Sequence, residues 1–113
     1  PTAYRVHFVG LEMLGNAAVN SKNVWIPYGE AFAAIKPAAN MLISAGINVG
    51  IYNFPLCAVE PDYWPLCKKS ISEYKRKFLA ACQNCSCLHI CGGVFSGSLR
   101  FAETNLHPIN RVN

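Results

Sequence analysis

The sequence predicts an α/β chain. It reads as a β–α–β unit over residues 1–54, followed by a Cys-rich, mostly irregular and helical extension over residues 55–113. Three observations predict this. Residues 4–11 (YRVHFVGL) and 47–52 (INVGIY) are short runs rich in β-branched and aromatic types, the composition of half-buried strands. Between them Phe32, Ile35, Ala39, Leu42 and Ile43 recur at spacings of three and four, which puts them on one face of a helix. After Asn53 the character changes: Pro55, Pro61 and Pro65 fall within eleven positions, and all six cysteines follow.

Each element has its own signal. The first strand ends at Glu12. Residues 15–28 hold Gly15, three asparagines, Ser21 and Pro27, and are expected to form a loop with a short extended piece at Val24–Ile26. The helix is expected over 29–45. Pro37 lies inside it and should kink or break it, because proline lacks a donor and crowds the carbonyl of Ala33. Gly46 is the expected left-handed residue after its end. Strand, helix, strand in that order implies parallel pairing. Two strands alone cannot cover both faces of a parallel sheet, so further strands or a second copy, as a homodimer through the sheet, are expected. Residues 69–81 are a second helix candidate, capped by Ser70 or Ser72, with Ile71, Tyr74, Phe78 and Leu79 as its apolar stripe. The stretch 99–113 is expected to add a short strand or turn.

Composition narrows the class. Hydrophobic residues make up 52 % and charged residues 14 %, which excludes a disordered tail. At 113 residues there is little room for two independent cores. No apolar run reaches membrane-spanning length, and no secretory signal precedes the first strand, so a cytoplasmic location is expected. The chain opens at Pro1 almost directly into a strand, which reads as a piece of something longer. Net charge is +4, and Lys68, Lys69, Lys75, Arg76 and Lys77 cluster. No nucleic-acid motif with interleaved aromatics accompanies them, so they read as a solvated helix face.

The cysteines carry the chemistry. Cys82, Cys85, Cys87 and Cys91 lie within ten residues, with Cys57 and Cys67 upstream. Disulfides are one explanation, but they fit poorly with a missing secretory signal and with crowded thiols. A structural zinc is another, with the C-x2-C of Cys82 and Cys85 completed by Cys91 and Cys57. An iron–sulfur cluster is the third and favoured one. A 4Fe–4S core needs four thiolates spread around a cube. Cys82, Cys85 and Cys91, spaced C-x2-C-x5-C, offer three, and Cys57 offers the fourth from a distant loop. Gly92 and Gly93 let backbone N–H groups approach. Cys67 and Cys87 are then surplus thiols. His89, among the cysteines, is a lesser ligand candidate, and His107 reads as structural. His7 reads as packed, and Trp25 and Trp64 as core or lid residues.

With these residues in view, the chain resembles the C-terminal part of a radical SAM enzyme, and among those the His-Xaa-Ser system radical SAM maturase of the HxsC type. The segments that carry the resemblance are FVGLE (8–12), VWI (24–26), IYNFPLC (51–57), WP (64–65), SISEYK (70–75), CQNC (82–85), CGGVFSGS (91–98) and HPI (107–109). The resemblance implies the end of a partial (β/α)6 barrel, an extension carrying an auxiliary 4Fe–4S cluster, and a peptide substrate. It places Glu12 and Asn53 near the barrel mouth as candidate cofactor-binding residues, Glu12 by its charge toward the amino group of S-adenosylmethionine. Two departures matter. The C-x3-C-x2-C motif that cleaves S-adenosylmethionine is absent from these residues, so no catalytic residue is assigned. Phe95 stands where the related SPASM pattern wants a further cysteine. The rival reading is an autonomous α/β binding or assembly module whose cysteines are reduced or hold zinc.

Overall fold

The computed structural model describes residues 5–69, 76–102 and 106–110. Strand β1 (Arg5–Val9) pairs in parallel with β2 (Asn48–Tyr52), Arg5 opposite Asn48 and Val9 opposite Tyr52. The crossover between them holds two single-turn helices, α1 (Asn16–Val19) and α2 (Ser21–Val24), and the long helix α3 (Tyr28–Ser44). The β–α–β unit is therefore present, and parallel. Among the described residues the sheet closes into no barrel.

The expected loop at 15–28 is largely α1 and α2. Asn20 stitches them: its side-chain amide donates to the carbonyl of Asn16 at 2.8 Å, a local side-chain bond of the kind that makes asparagine a junction residue. Helix α3 runs through Pro37 without a break. The donor lost at Pro37 leaves only the carbonyl of Ala33 without its helical partner, and Ala33 is exposed to water. Gly46 ends the helix as expected, with φ +78°. Its N–H donates to Ile43 at 3.0 Å and that of Ile47 to Leu42 at 2.9 Å, the paired bonds of a Schellman cap.

The sheet has a third strand that the sequence reading lacked. β3 (Cys67–Lys68) pairs in parallel with β2, Ile51 opposite Cys67, so β2 is central. Beyond it β4 (Arg76–Lys77) and β5 (Val94–Phe95) form a separate antiparallel pair. The helix expected over 69–81 does not form in its described part. Residues 76–77 are strand, and a 3-10 helix occupies Ala80–Asn84. Backbone pairing with Val94 and Phe95 overrides a weak local preference. Ser70, Ile71, Ser72, Tyr74 and Lys75 lie outside the described residues. Near the C-terminus, α4 (Leu99–Ala102) is a single turn.

One core joins both halves. Tyr28 and Phe32 of α3, Ile51 of β2, and Phe54, Val59 and Val94 from beyond it form one buried cluster, with Phe8, Trp25 and Trp64 packed against it. Phe54 meets the Tyr28 ring edge-on at 5.2 Å, and Tyr63 meets Phe32 at 5.3 Å. Trp25 packs on Tyr28 and Phe101. His7, expected to be packed, is instead exposed on the opposite face of the sheet. Its ring lies 4.8 Å from that of Tyr52, because β1 alternates Val6 and Phe8 inward with Arg5, His7 and Val9 outward.

Two glycines in different surroundings test the packing. A Cβ on Gly10 would overlap the carbonyl oxygen of Asn53, whereas nothing lies within 4 Å of one on Gly29. Gly10→Ala should therefore lower the stability of the metal-free protein by about 1–3 kcal/mol. Gly29→Ala, inside α3, should raise it by about 0.4–1 kcal/mol. Urea unfolding of the two variants beside the parent checks both signs.

Candidate metal centre

The site begins where β2 ends. Asn53 takes a left-handed turn, φ 58°, which asparagine tolerates better than most side chains. The chain then runs through Phe54 and Pro55 into a 3-10 turn at Leu56–Ala58 that contains Cys57. Leu56 is buried in the interior. The indole N–H of Trp64 donates to the carbonyls of Leu56 at 3.2 Å and Val59 at 2.9 Å. Helix α3 grips the loop that follows: Lys36 meets both carboxylate oxygens of Glu60 at 2.9 Å, and the Tyr63 hydroxyl donates to Asn40 at 2.7 Å. The Lys36–Glu60 pair is on the surface and contributes little stability by itself. Its effect is positional.

The second wall of the site is the segment 78–93. Cys82 lies on the 3-10 helix Ala80–Asn84, Cys85 directly after it, and Cys91 before Gly92 and Gly93. Gly92 packs against the backbone of Lys68 and Phe54, which brings Cys91 beside the Cys57 loop. Gly93, at φ +65°, leaves no room for a Cβ beside the Lys77 carbonyl and the Phe78 ring. Glycine is required there by both space and conformation.

Cys57, distant in sequence, lines one pocket with Cys82, Cys85, Cys87 and Cys91. Its remaining walls are mainly apolar, with Phe78, Leu88, Val94, Leu106 and Ile109, and with Lys77 and His107 as polar neighbours. Backbone N–H groups point at its sulfurs. Leu56 and Gly93 donate to Cys91 Sγ at 3.4 and 3.3 Å. Cys87 and Ile109 donate to Cys85 Sγ at 3.4 and 3.2 Å. The backbone of His107 donates to Cys57. A neutral thiol is a weak acceptor, whereas a thiolate is stabilised by such donors. The donor set therefore suits sulfurs that carry charge.

In the metal-free chain that charge is disfavoured. Burial pushes the Cys57 and Cys91 thiols up, the N–H donors offset part of this, and the neighbouring cysteines raise them further. As placed, no three His, Cys, Asp or Glu side chains among the described residues are gathered as one ion would need. The four cysteines line the pocket without being gathered around one point. The space spans about 380 Å³ out to its open mouth, but only about 20 Å³ is wide enough to centre a water molecule.

The other candidates fall elsewhere. Asn53 is buried, and its side-chain N–H2 has no partner among the described residues. Glu12 is half-buried in the loop after β1. Both follow the C-terminal ends of strands, and neither lines the cysteine pocket. The loop carrying Glu12 is tied to Ser98, whose hydroxyl donates to Leu11 at 2.6 Å and accepts from the Met13 N–H at 3.1 Å. His89 is exposed outside the pocket, with its carbonyl accepting from Lys69. Cys67 starts β3, half-buried, with its thiol toward the Tyr63 carbonyl. Cys87 is fully buried. Sequence reasoning missed the donors from Leu56, His107 and Ile109 and the wall residues Leu106 and Ile109. Gly92–Gly93 was the one local signal of close backbone approach.

Compared with known protein families, curated proteins and solved structures, the chain gives no match. No helix among the described residues is long and apolar enough to cross a membrane.

Burial pushes Cys67 from the ordinary 9.0 to about 11, with Cys91 adding and Lys68 subtracting. The unfolded chain thus loses this proton at lower pH than the folded one. Stability is full below about pH 9 and falls as pH rises toward 11. Tyr28, pushed by burial from 10.0 to about 12, adds in the same direction at higher pH. Urea midpoints of the metal-free protein should decrease from pH 8 to pH 11. Cys67→Ala should flatten the lower part of that decline.

Proposed function

We propose that the chain is the C-terminal part of a radical SAM peptide-modifying maturase, and that its cysteine pocket holds an auxiliary 4Fe–4S cluster through Cys57, Cys82, Cys85 and Cys91. The observation that carries this is the convergence of those four sulfurs on one apolar pocket, with backbone donors aimed at three of them. When bound, such a cluster supplies one-electron redox chemistry or a Lewis-acidic iron. The chain's own part is to hold it. Its N–H groups stabilise the thiolates, and the Phe78, Leu88 and Ile109 side chains keep water off. The 113 residues contain no C-x3-C-x2-C, so this cluster is not the one that cleaves S-adenosylmethionine.

The sheet adds support for a barrel end-piece. β1 is an edge strand, and along it runs a groove walled by Val9, Leu11, Val24, Ile26, Ala34 and Ile35. Several of these are exposed large apolar side chains. A preceding strand–helix unit of a parallel sheet would bury them. Glu12 and Asn53 would then stand at the C-terminal ends of the strands, where barrel active sites lie.

One observation favours a second reading, an independent α/β module holding one zinc ion. The water-wide space of about 20 Å³ admits a single ion, whereas a cubane needs the 78–93 wall to move outward. Anaerobic reconstitution with iron and sulfide separates the two. The cluster reading expects four irons and four sulfides per chain and broad visible absorption, and Cys85→Ala should lose most of that signal. One zinc per chain with no acid-labile sulfide would overturn it in favour of the zinc module.

A further inference from the structure

The two faces of the parallel sheet differ. Phe8 and Ile51 turn to the core. The register sets Arg5 beside Asn48, His7 beside Gly50, and Tyr52 beside Lys68, so these six share the opposite face. Arg5, His7, Asn48 and Lys68 are exposed there, although parallel sheets are ordinarily covered on both faces. The face is a groove with about 560 Å³ of space wide enough to centre water, against about 20 Å³ in the cysteine pocket. That is within the ~300–1,000 Å³ usual for ligand sites. Gly50 is its floor. A Cβ there would stand 3.1 Å from both the His7 and the Tyr52 rings, so glycine lets the rings lie low. Ile47, Pro65 and Leu66 add apolar wall. Arg5, His7 and Lys68 line the groove, and no carboxylate among the described residues does. Glu60, the acid of the adjoining loop, is held by Lys36 at 2.9 Å. Lys68 is steadied by the Pro65 carbonyl at 3.4 Å, which uses one of its three N–H donors.

We infer that this open face binds an extended acidic peptide segment, with its carboxylates on Arg5 and Lys68. The inference uses neither the cysteine pocket nor a cluster, and it holds under either reading of that pocket. Charge complementarity sets the class of partner. Arg5 and Lys68 stand at opposite corners of the groove, four residues apart along the strands and two strands across. That is about 16 Å at the backbone. A small anion engages one of them at a time, whereas about five residues of extended chain span both. The planar fork of Arg5 takes a carboxylate in two parallel bonds, and Lys68 takes another as a point charge. Between the corners lie the His7 and Tyr52 rings and the apolar Ile47 and Leu66, which suit the side chains between two carboxylates. A nucleic acid carries charge at every phosphate, and two corner cations with an apolar stretch between them match that pattern poorly.

The experiment is fluorescence anisotropy on the full chain, kept reduced. The probe is a labelled peptide of about eight residues that alternates glutamate with alanine, which puts its carboxylates on one side when extended. The same peptide with glutamine and a short single-stranded oligonucleotide of equal charge are the comparisons. The parent should bind the glutamate peptide more tightly than either. R5Q/K68Q should weaken that binding about three- to thirtyfold. K22Q/R100Q removes the same charge at positions outside the groove and should change it less than about twofold. R5E/K68E should reverse the preference and bind a lysine version of the peptide, a gain that an unfolded variant does not show. Equal weakening in R5Q/K68Q and K22Q/R100Q would overturn the inference. So would an R5E/K68E that gains no affinity for the lysine peptide, tighter binding of the oligonucleotide, or a parent chain that leaves the glutamate peptide unbound.

Discussion

The molecule depends on one backbone turn. At Asn53 the central strand leaves the sheet through a left-handed residue whose carbonyl presses against Gly10. The neighbouring strand answers with the Gly10 N–H donating to the Tyr52 carbonyl at 2.9 Å. This contact joins the ends of β1 and β2 and sends the chain sideways rather than onward. Everything chemical lies downstream of that change of direction: Phe54 drops into the core, Leu56 follows, and Cys57 between Leu56 and Ala58 turns to the pocket. A residue in this conformation costs on the order of 1 kcal/mol even for a tolerant side chain. The buried Phe54 and Leu56 offset that cost. The pocket is thus anchored to the hydrophobic core by the Cys57 loop, and the loop's position is set by sheet geometry.

The pocket balances two opposing electrical demands. Its apolar walls raise the cost of charge on any thiolate, and its backbone donors lower it. Without a metal the first wins, and the Cys57 and Cys91 thiols are held up by burial. A bound cation reverses the balance, because the walls that penalised the charge then strengthen its attraction to the metal.

What was legible in the sequence followed from local rules. The periodicity of Phe32, Ile35, Ala39 and Leu42 and the glycine at 46 located α3 and its cap, because a helix end is decided within a few residues. The parallel pairing of β1 with β2 followed from the order strand, helix, strand. Cys82, Cys85 and Cys91 could be grouped from spacing, with Cys57 added from a distant loop, and all four line one pocket. What was not legible depends on partners distant in the chain. β3 is two residues long and exists only because Ile51 and Tyr52 offer a ladder. β4 forms against Val94 and Phe95, so the apolar stripe at 71–79 suggested a helix that the paired backbone overrides. Pro37 was read from the cost of a lost donor alone, without the solvent that satisfies Ala33. The N–H groups of Leu56 and Ile109 carry no side-chain signature, so no sequence pattern marks them as part of the site.

The two edges of the sheet are chemically unequal. On one side stands β3, short and ending in Lys68, the kind of edge that refuses another strand. On the other stands β1, five residues long and flanked by apolar side chains. The sheet therefore has a growing side and a finished side. A strand added at β1 would continue the ladder, and among the described residues none follows at β3. Of the two edges, β1 is thus the one whose side chains and length suit it to receive a further strand.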